Sequence, residues 1–250
     1  MSGAAGGGAA RVLVVGASGF CGRAAARALA EGGAEVLAHL RPDSPRRALA
    51  ERAWGGLVGE GPGRVTPLER PWAELLAALP ALGLTAACSF LGTTRAHARR
   101  GGGTYEDVDY GLNASLIDAL AALPAPPLLV YLSAQGVEWA RYSAYMRARE
   151  RVEGLLARRA LPFVVFRPGL LHDETRDERR AGEAAAAGLS RAAAAAARAV
   201  GARALADRVA PLTAREVGLA TAAAVRRWGG AGEAGARAVW GVAELRAAGR

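Results

Sequence analysis

The chain has 250 residues, about half of them apolar, which is enough for one large α/β domain with a sizeable core. Its formal charge is +9, and every basic residue is arginine: no lysine occurs anywhere, so no reaction that needs a side-chain amine is open to it. The arginines are spread along the chain and a single isoleucine, Ile117, is present, which reads as a coding bias toward Ala, Gly and Arg rather than as a nucleic-acid-binding surface.

Other classes are set aside as simply. No membrane span is expected. Residues 1–10 read as a flexible Gly/Ala-rich tail without the basic start of a signal peptide. Cys21 and Cys88 are too few for a disulfide framework, and a reducing cytoplasm is the expected home. His39, His97 and His172 are scattered, and no metal site is expected. No Walker sequence and no serine-hydrolase elbow are present.

In chain order, Arg11 to Val15 is a β-branched run that reads as a buried parallel strand. Cys21 to Glu31 is an Ala-rich helix ended by Gly32-Gly33, and Glu35 to Leu40 is a second strand. This is a βαβ unit. A helical segment around Arg46 to Trp54, a weak strand Arg64 to Leu68 and a short helix Trp72 to Leu79 follow. Leu84 to Leu91 is a buried strand, with a glycine-rich loop at 101–103 behind it. Tyr105 to Leu123 shows the clearest three- and four-residue apolar spacing and predicts one amphipathic helix, stopped by Pro124. Leu128 to Ser133 is a strand, Tyr142 to Arg159 a helix and Pro162 to Phe166 a strand. A polar loop at 172–180, an Ala-rich helix at 181–206, a helix Thr213 to Trp228 and a last strand Arg237 to Val242 complete the chain. The alternation predicts a doubly wound parallel sheet, a Rossmann fold, as one domain over 11–250, with a mostly helical region at 172–250 on the substrate side.

The turn Gly16-Ala17-Ser18-Gly19-Phe20-Cys21-Gly22 joins the first strand to the first helix. A pyrophosphate needs backbone donors and a positive helix end close by, and only glycine lets the backbone come so near. Gly16, Gly19 and Gly22 supply those positions and Ser18 adds a hydroxyl, while Phe20 and Cys21 open the helix. The second strand ends at Leu40-Arg41, where an acid favours a ribose 2′-hydroxyl and an arginine a 2′-phosphate. Asp43 lies two residues beyond, behind Pro42, so Arg41 points to NADP(H) in preference to NAD(H).

The stretches VVGASGFCGR (14–23), FLGTTRA (90–96), VDY (108–110), YLSAQG (131–136), YMRARERVE (145–153) and FRPGLL (166–171) come in an order that resembles an atypical short-chain dehydrogenase/reductase. The likeness is to the branch of the Tat-interacting protein, an NADPH-binding, oxidoreductase-like family, and it spans residues 11–175. That resemblance implies that Leu91, Gly92 and Thr93 line the cofactor and that Pro168, Gly169 and Leu170 pass under the nicotinamide. It also implies that Ser133 lies near the nicotinamide. Members that transfer hydride use a Tyr-x-x-x-Lys pair, two side chains on one helix face, in which the tyrosine protonates the carbonyl and the lysine supplies the cation. Here the pair reads Tyr145 and Arg149. The guanidinium keeps the charge but is planar, bulky and fixed in its fork. Ser133 or Gln135 is the partner of the developing oxyanion. Two functions remain open at this point: an NADPH-dependent oxidoreductase for a small carbonyl or enone-type substrate of unknown identity, or a non-catalytic NADPH-binding regulator or scaffold. A protein partner or a homo-oligomer is compatible with both.

Overall fold

The computed structural model describes residues 9–93, 103–171, 210–229 and 236–249, together with residues 192, 195, 199, 201 and 202. The expected loop at 172–180, all but a few positions of the Ala-rich helix at 181–206, and Thr94 to His97 lie outside the described residues.

The strands are β1 (Arg11–Val15), β2 (Glu35–Leu40), β3 (Val65–Glu69), β4 (Ala86–Ser89), β5 (Leu128–Leu132), β6 (Phe163–Phe166) and β7 (Arg237–Trp240). They form one seven-stranded sheet in the order β3-β2-β1-β4-β5-β6-β7. Every pairing is parallel. The order reverses between β1 and β4, and such a switch point leaves a crevice beyond the carboxyl ends of the strands. The glycine turn leaves β1 at that place.

Two helical layers cover the sheet, and strand alternation decides which residue serves which layer. Val12 and Val14 of β1, Ala86 and Cys88 of β4, and Val130 of β5 face α1 (Phe20–Glu31) and α6 (Ala214–Trp228). Leu13, Val15, Ala87, Leu129 and Tyr131 face the opposite layer, where Leu75 of α3 (Trp72–Ala78), Leu116 and Leu120 of α4 (Asn113–Ala121) and Val152 and Leu156 of α5 (Ala144–Arg158) pack. A short α2 (Arg47–Trp54) and the last helix α7 (Val242–Ala248) complete the set. The alanine-rich faces of α1 and α6 allow close approach: a Cβ on Gly218 would stand 2.6 Å from the carbonyl oxygen of Ala24. Thr213 caps α6 reciprocally, its hydroxyl accepting from the Glu216 amide at 3.1 Å while Glu216 accepts from the Thr213 amide at 2.8 Å.

Three of the differences from the expected elements have a local cause. The helix expected over Tyr105 to Leu123 is a π-helix over Tyr105–Leu112 that runs into α4. Its start is fixed by a reciprocal cap between Thr104 and Asp107, and its wider turns carry Asp109 into the interior. The helix expected from Tyr142 begins at Ala144, because Ser143 is extended and separates α5 from a 3-10 turn over Val137–Tyr142. The last strand ends at Trp240: Gly241 donates its amide to Glu244 at 2.9 Å and so opens α7, which sequence patterning did not reveal.

Candidate functional site

Gly16 closes β1 with φ +73°, and a Cβ there would lie 2.7 Å from the carbonyl carbon and oxygen of Phe90, beyond β4. A Cβ on Gly22 would lie 2.2 Å from the Gly16 carbonyl oxygen, and one on Gly19 would lie 3.1 Å from it. Gly16 and Gly22 are therefore required by the backbone itself, because a main-chain atom cannot move aside as a flexible side chain can. The Gly19 amide donates to Gly16 at 2.9 Å, and the Arg23 guanidinium donates to the Ser18 carbonyl at 3.0 Å, which holds the turn from its other side. Phe20 and Cys21 form the first turn of α1, whose positive end is directed at the crevice.

Register places Arg41 at the same edge. Val14 pairs with Ala38, so the strands bring Gly16 level with Leu40, and Arg41 stands one residue further out, exposed to solvent. Asp43 adopts a left-handed backbone, φ 55°, and its amide donates to Glu69 at 3.2 Å. His39, buried behind this edge, contacts the Arg70 carbonyl through Nε2 at 2.8 Å. Burial holds its pKa below the ordinary value; the bond to Arg70 opposes this and the nearby Arg41 charge adds to it.

On the other side of the switch point, Leu91, Gly92 and Thr93 follow β4 and are bound to the protein. The Leu91 carbonyl accepts from Arg149 at 3.1 Å, and the Thr93 amide donates to Asp109 at 2.8 Å. A Cβ on Gly92 would meet the Arg149 guanidinium at 2.5 Å. Thr93 Oγ1 is buried with no partner among the described residues.

Arg149 is the centre of this half. It is 5% exposed, against 0% for Asp109. One terminal nitrogen donates to Asp109 at 2.9 Å and to Leu91; the other donates to the Leu132 carbonyl and to the Tyr131 hydroxyl. Its Nε is buried without a partner among the described residues. Burial works against the guanidinium charge, but Tyr131, Tyr145 and Asp109 outweigh it and hold the group protonated, above its ordinary range. Burial pushes Asp109 up, opposed by Arg149 and by the Thr93 amide. It also pushes the Tyr131 phenol up to about 12, again opposed by Arg149.

Tyr145 lies one turn before Arg149, with the guanidinium carbon 5.1 Å from its ring centroid and the Tyr105 ring set edge-on at 5.6 Å. One turn after Arg149 comes Glu153, so the three residues line one face of α5. Ser133, 3% exposed, donates its hydroxyl to Glu153, and Glu153 is paired with Arg167 from the end of β6. Gln135 is exposed, its backbone N–H donates to the Pro168 carbonyl at 2.8 Å, and its side-chain oxygen lies 2.7 Å from where a Cβ on Gly169 would be. Leu170 continues this segment, accepting from the Leu212 amide at 2.9 Å.

The structure thus gathers the glycine turn, Arg41, residues 91–93, Ser133, Tyr145, Arg149 and residues 168–170 at the carboxyl end of one sheet. Sequence reasoning gave no role to Asp109 or Glu153. For Glu153 a signal existed, since it follows Tyr145 and Arg149 at successive four-residue steps. For Asp109 the signal was an acid set on the inward face of an apolar helix, four residues before Asn113. Among the described residues no cluster of metal-ligating side chains is present, and no helix is long and apolar enough to cross a membrane.

No family model matches the sequence, and no curated protein matches it. Solved structures do match in shape. A short-chain type dehydrogenase/reductase from Mycobacterium ulcerans superposes with a TM-score of 0.64 at 15% identity, covering 94% of this chain and 90% of that one. UDP-glucose 4-epimerase from Brucella ovis, solved in complex with NAD, gives 0.62 at 18% identity, covering 95% and 81%. A 3-oxoacyl-[acyl-carrier protein] reductase from Brucella melitensis gives 0.60 at 17% identity, covering 93% and 89%. At these identities the likeness is one of fold: the chain shares the α/β Rossmann fold of these proteins.

Proposed function

We propose that the chain is an NADP(H)-binding oxidoreductase of the short-chain dehydrogenase/reductase type, acting on a small carbonyl or enone-type substrate. The observation that carries this is the turn from Gly16 to Gly22, where a Cβ at either end would strike backbone, set beside the exposed Arg41 at the switch point. That cradle fits a pyrophosphate, and Arg41 fits a 2′-phosphate. The unpartnered, buried Thr93 hydroxyl accords with a bound group at the end of β4. The ordered motifs over 11–175 support a place near the Tat-interacting-protein branch, and two buried cysteines outside any disulfide accord with a reducing cytoplasm.

When bound, NADPH supplies a hydride. The chain's own residues supply position and a proton: Tyr145 donates to the substrate oxygen, and Arg149 keeps a permanent positive charge beside its ring. The arginine does this from within a buried ion pair, whereas a lysine would be a mobile point charge. A second reading, a cofactor-binding regulator without turnover, is favoured by one observation: both terminal nitrogens of Arg149 are engaged by protein acceptors. Neither reading gives the net charge a nucleic-acid role.

Titration of the purified protein with NADPH and NADH tests the cofactor assignment. NADPH is expected to bind about tenfold tighter or better, a difference of about 1.4 kcal/mol. Arg41→Asp is expected to remove the preference. Equal or tighter binding of NADH by the unmodified protein overturns it. Tyr145→Phe then separates the two readings: turnover lost with NADPH affinity kept indicates catalysis, and no turnover in the unmodified protein indicates the regulator.

A further inference from the structure

We infer that Gln135, not Ser133, is the side chain that meets the substrate's carbonyl oxygen, an assignment that rests on the oxidoreductase reading above. Both residues follow β5, two positions apart. Ser133 is 3% exposed and its hydroxyl proton is given to Glu153, an acceptor fixed in turn by Arg167. A hydroxyl has one proton, so Ser133 has none left to donate to an oxyanion. The Ser133–Glu153–Arg167 chain ties the ends of β5 and β6 to α5 and is complete without a ligand.

Gln135 has the opposite surroundings. Its backbone is held to Pro168, and its exposed side chain occupies the space left by the missing side chain of Gly169. A Cβ at Gly169 would stand 2.7 Å from the Gln135 side-chain oxygen and 3.4 Å from Val242, so the end of the Gln135 side chain lies against Gly169. The exposed side-chain amide has an NH2 group to offer a ligand as a donor. The substrate class that follows is an aldehyde or ketone whose oxygen accepts one hydrogen bond from a neutral amide and receives the Tyr145 proton.

The probe is trifluoroacetophenone. Its binding to the complex of the full chain with NADP+ is followed by fluorine NMR, and its reduction by NADPH is followed in parallel. Gln135→Ala and Gln135→Glu are both expected to weaken probe binding about tenfold, the effect of one lost hydrogen bond to a ligand. NADPH affinity should stay within about twofold, since the pyrophosphate cradle is untouched. The glutamate variant keeps the packing and loses the donor, so a packing role would leave it unharmed. Gly169→Ala displaces the amide and is expected to reproduce the loss, and adding Gln135→Ala to it should cost little more. Ser133→Ala is expected to lower the melting temperature and keep probe binding. Equal loss in Ser133→Ala and Gln135→Ala overturns the assignment, as does a neutral Gln135→Glu or an additive double variant. An unmodified protein that binds NADPH but neither binds nor reduces the probe also overturns it while the cofactor reading stands; failure to bind NADPH removes that reading itself.

Discussion

The two sides of the switch point are built by opposite means. The β1–α1 side is shaped by missing side chains: Gly16 and Gly22 leave backbone against backbone, and Arg41 stands exposed at the rim. The β4–β5–α5 side is shaped by side chains that fill and lock the space, with Arg149 reaching residues 40 and 58 positions away. A cradle of the first kind depends on residues adjacent in sequence. A lock of the second kind depends on partners that only folding brings together, and its failure costs a buried, unpaired charge.

That contrast can be broken at several points. The largest effect is expected from Asp109→Ala, which strands the Arg149 guanidinium in the interior; loss of one partner of a buried pair costs about 3–5 kcal/mol. Urea unfolding of the variant measures it, and a loss below about 1 kcal/mol would mean that the carbonyl bonds alone hold Arg149. Gly22→Ala comes next, at about 3 kcal/mol, the upper end for overpacking, since the added carbon meets the Gly16 carbonyl oxygen. It should abolish NADPH binding as well, whereas Asp109→Ala at a temperature where it is folded should not.

Arg149→Lys sharpens the comparison further. If the arginine were merely a coding-bias substitute, lysine would serve; the geometry says otherwise, because an ammonium cannot serve Leu91, Leu132, Tyr131 and Asp109 together. A loss of about 1–3 kcal/mol is expected from unsatisfied buried carbonyls, measured by thermal unfolding. The smallest effect is a pH dependence on the cofactor side. Burial depresses the His39 pKa, so below about pH 6.5 the unfolded chain takes up a proton that the folded chain refuses. Stability from this group is complete above that pH and declines as pH falls toward the folded pKa. His39→Gln should flatten that part of a melting-temperature profile, and an unchanged profile would assign the acid sensitivity elsewhere.

The strands were legible because a buried parallel strand is a short apolar run. β1 and β2 were read to their ends, and β4 proved shorter than its apolar run. The π-helix was not legible: Val108, Leu112 and Leu116 satisfy ordinary helical spacing, whereas the wider turns that follow the Thr104–Asp107 cap carry Asp109 into the interior. Tyr145 and Arg149 could be found at their spacing, but nothing in the spacing tells whether a guanidinium faces a ligand or a carbonyl.

By itself, then, the sequence determined the sheet, the glycine turn at the switch point and the cation beside it. These rest on local rules: strand patterning, steric exclusion at glycine, and one residue's place at a strand end. Tertiary structure alone decided which acid answers Arg149, that Ser133 is bound to Glu153, and that the end of the Gln135 side chain lies against Gly169. Those facts rest on the cost of burying charge and polar groups without partners, and that cost is settled only when distant segments are packed together.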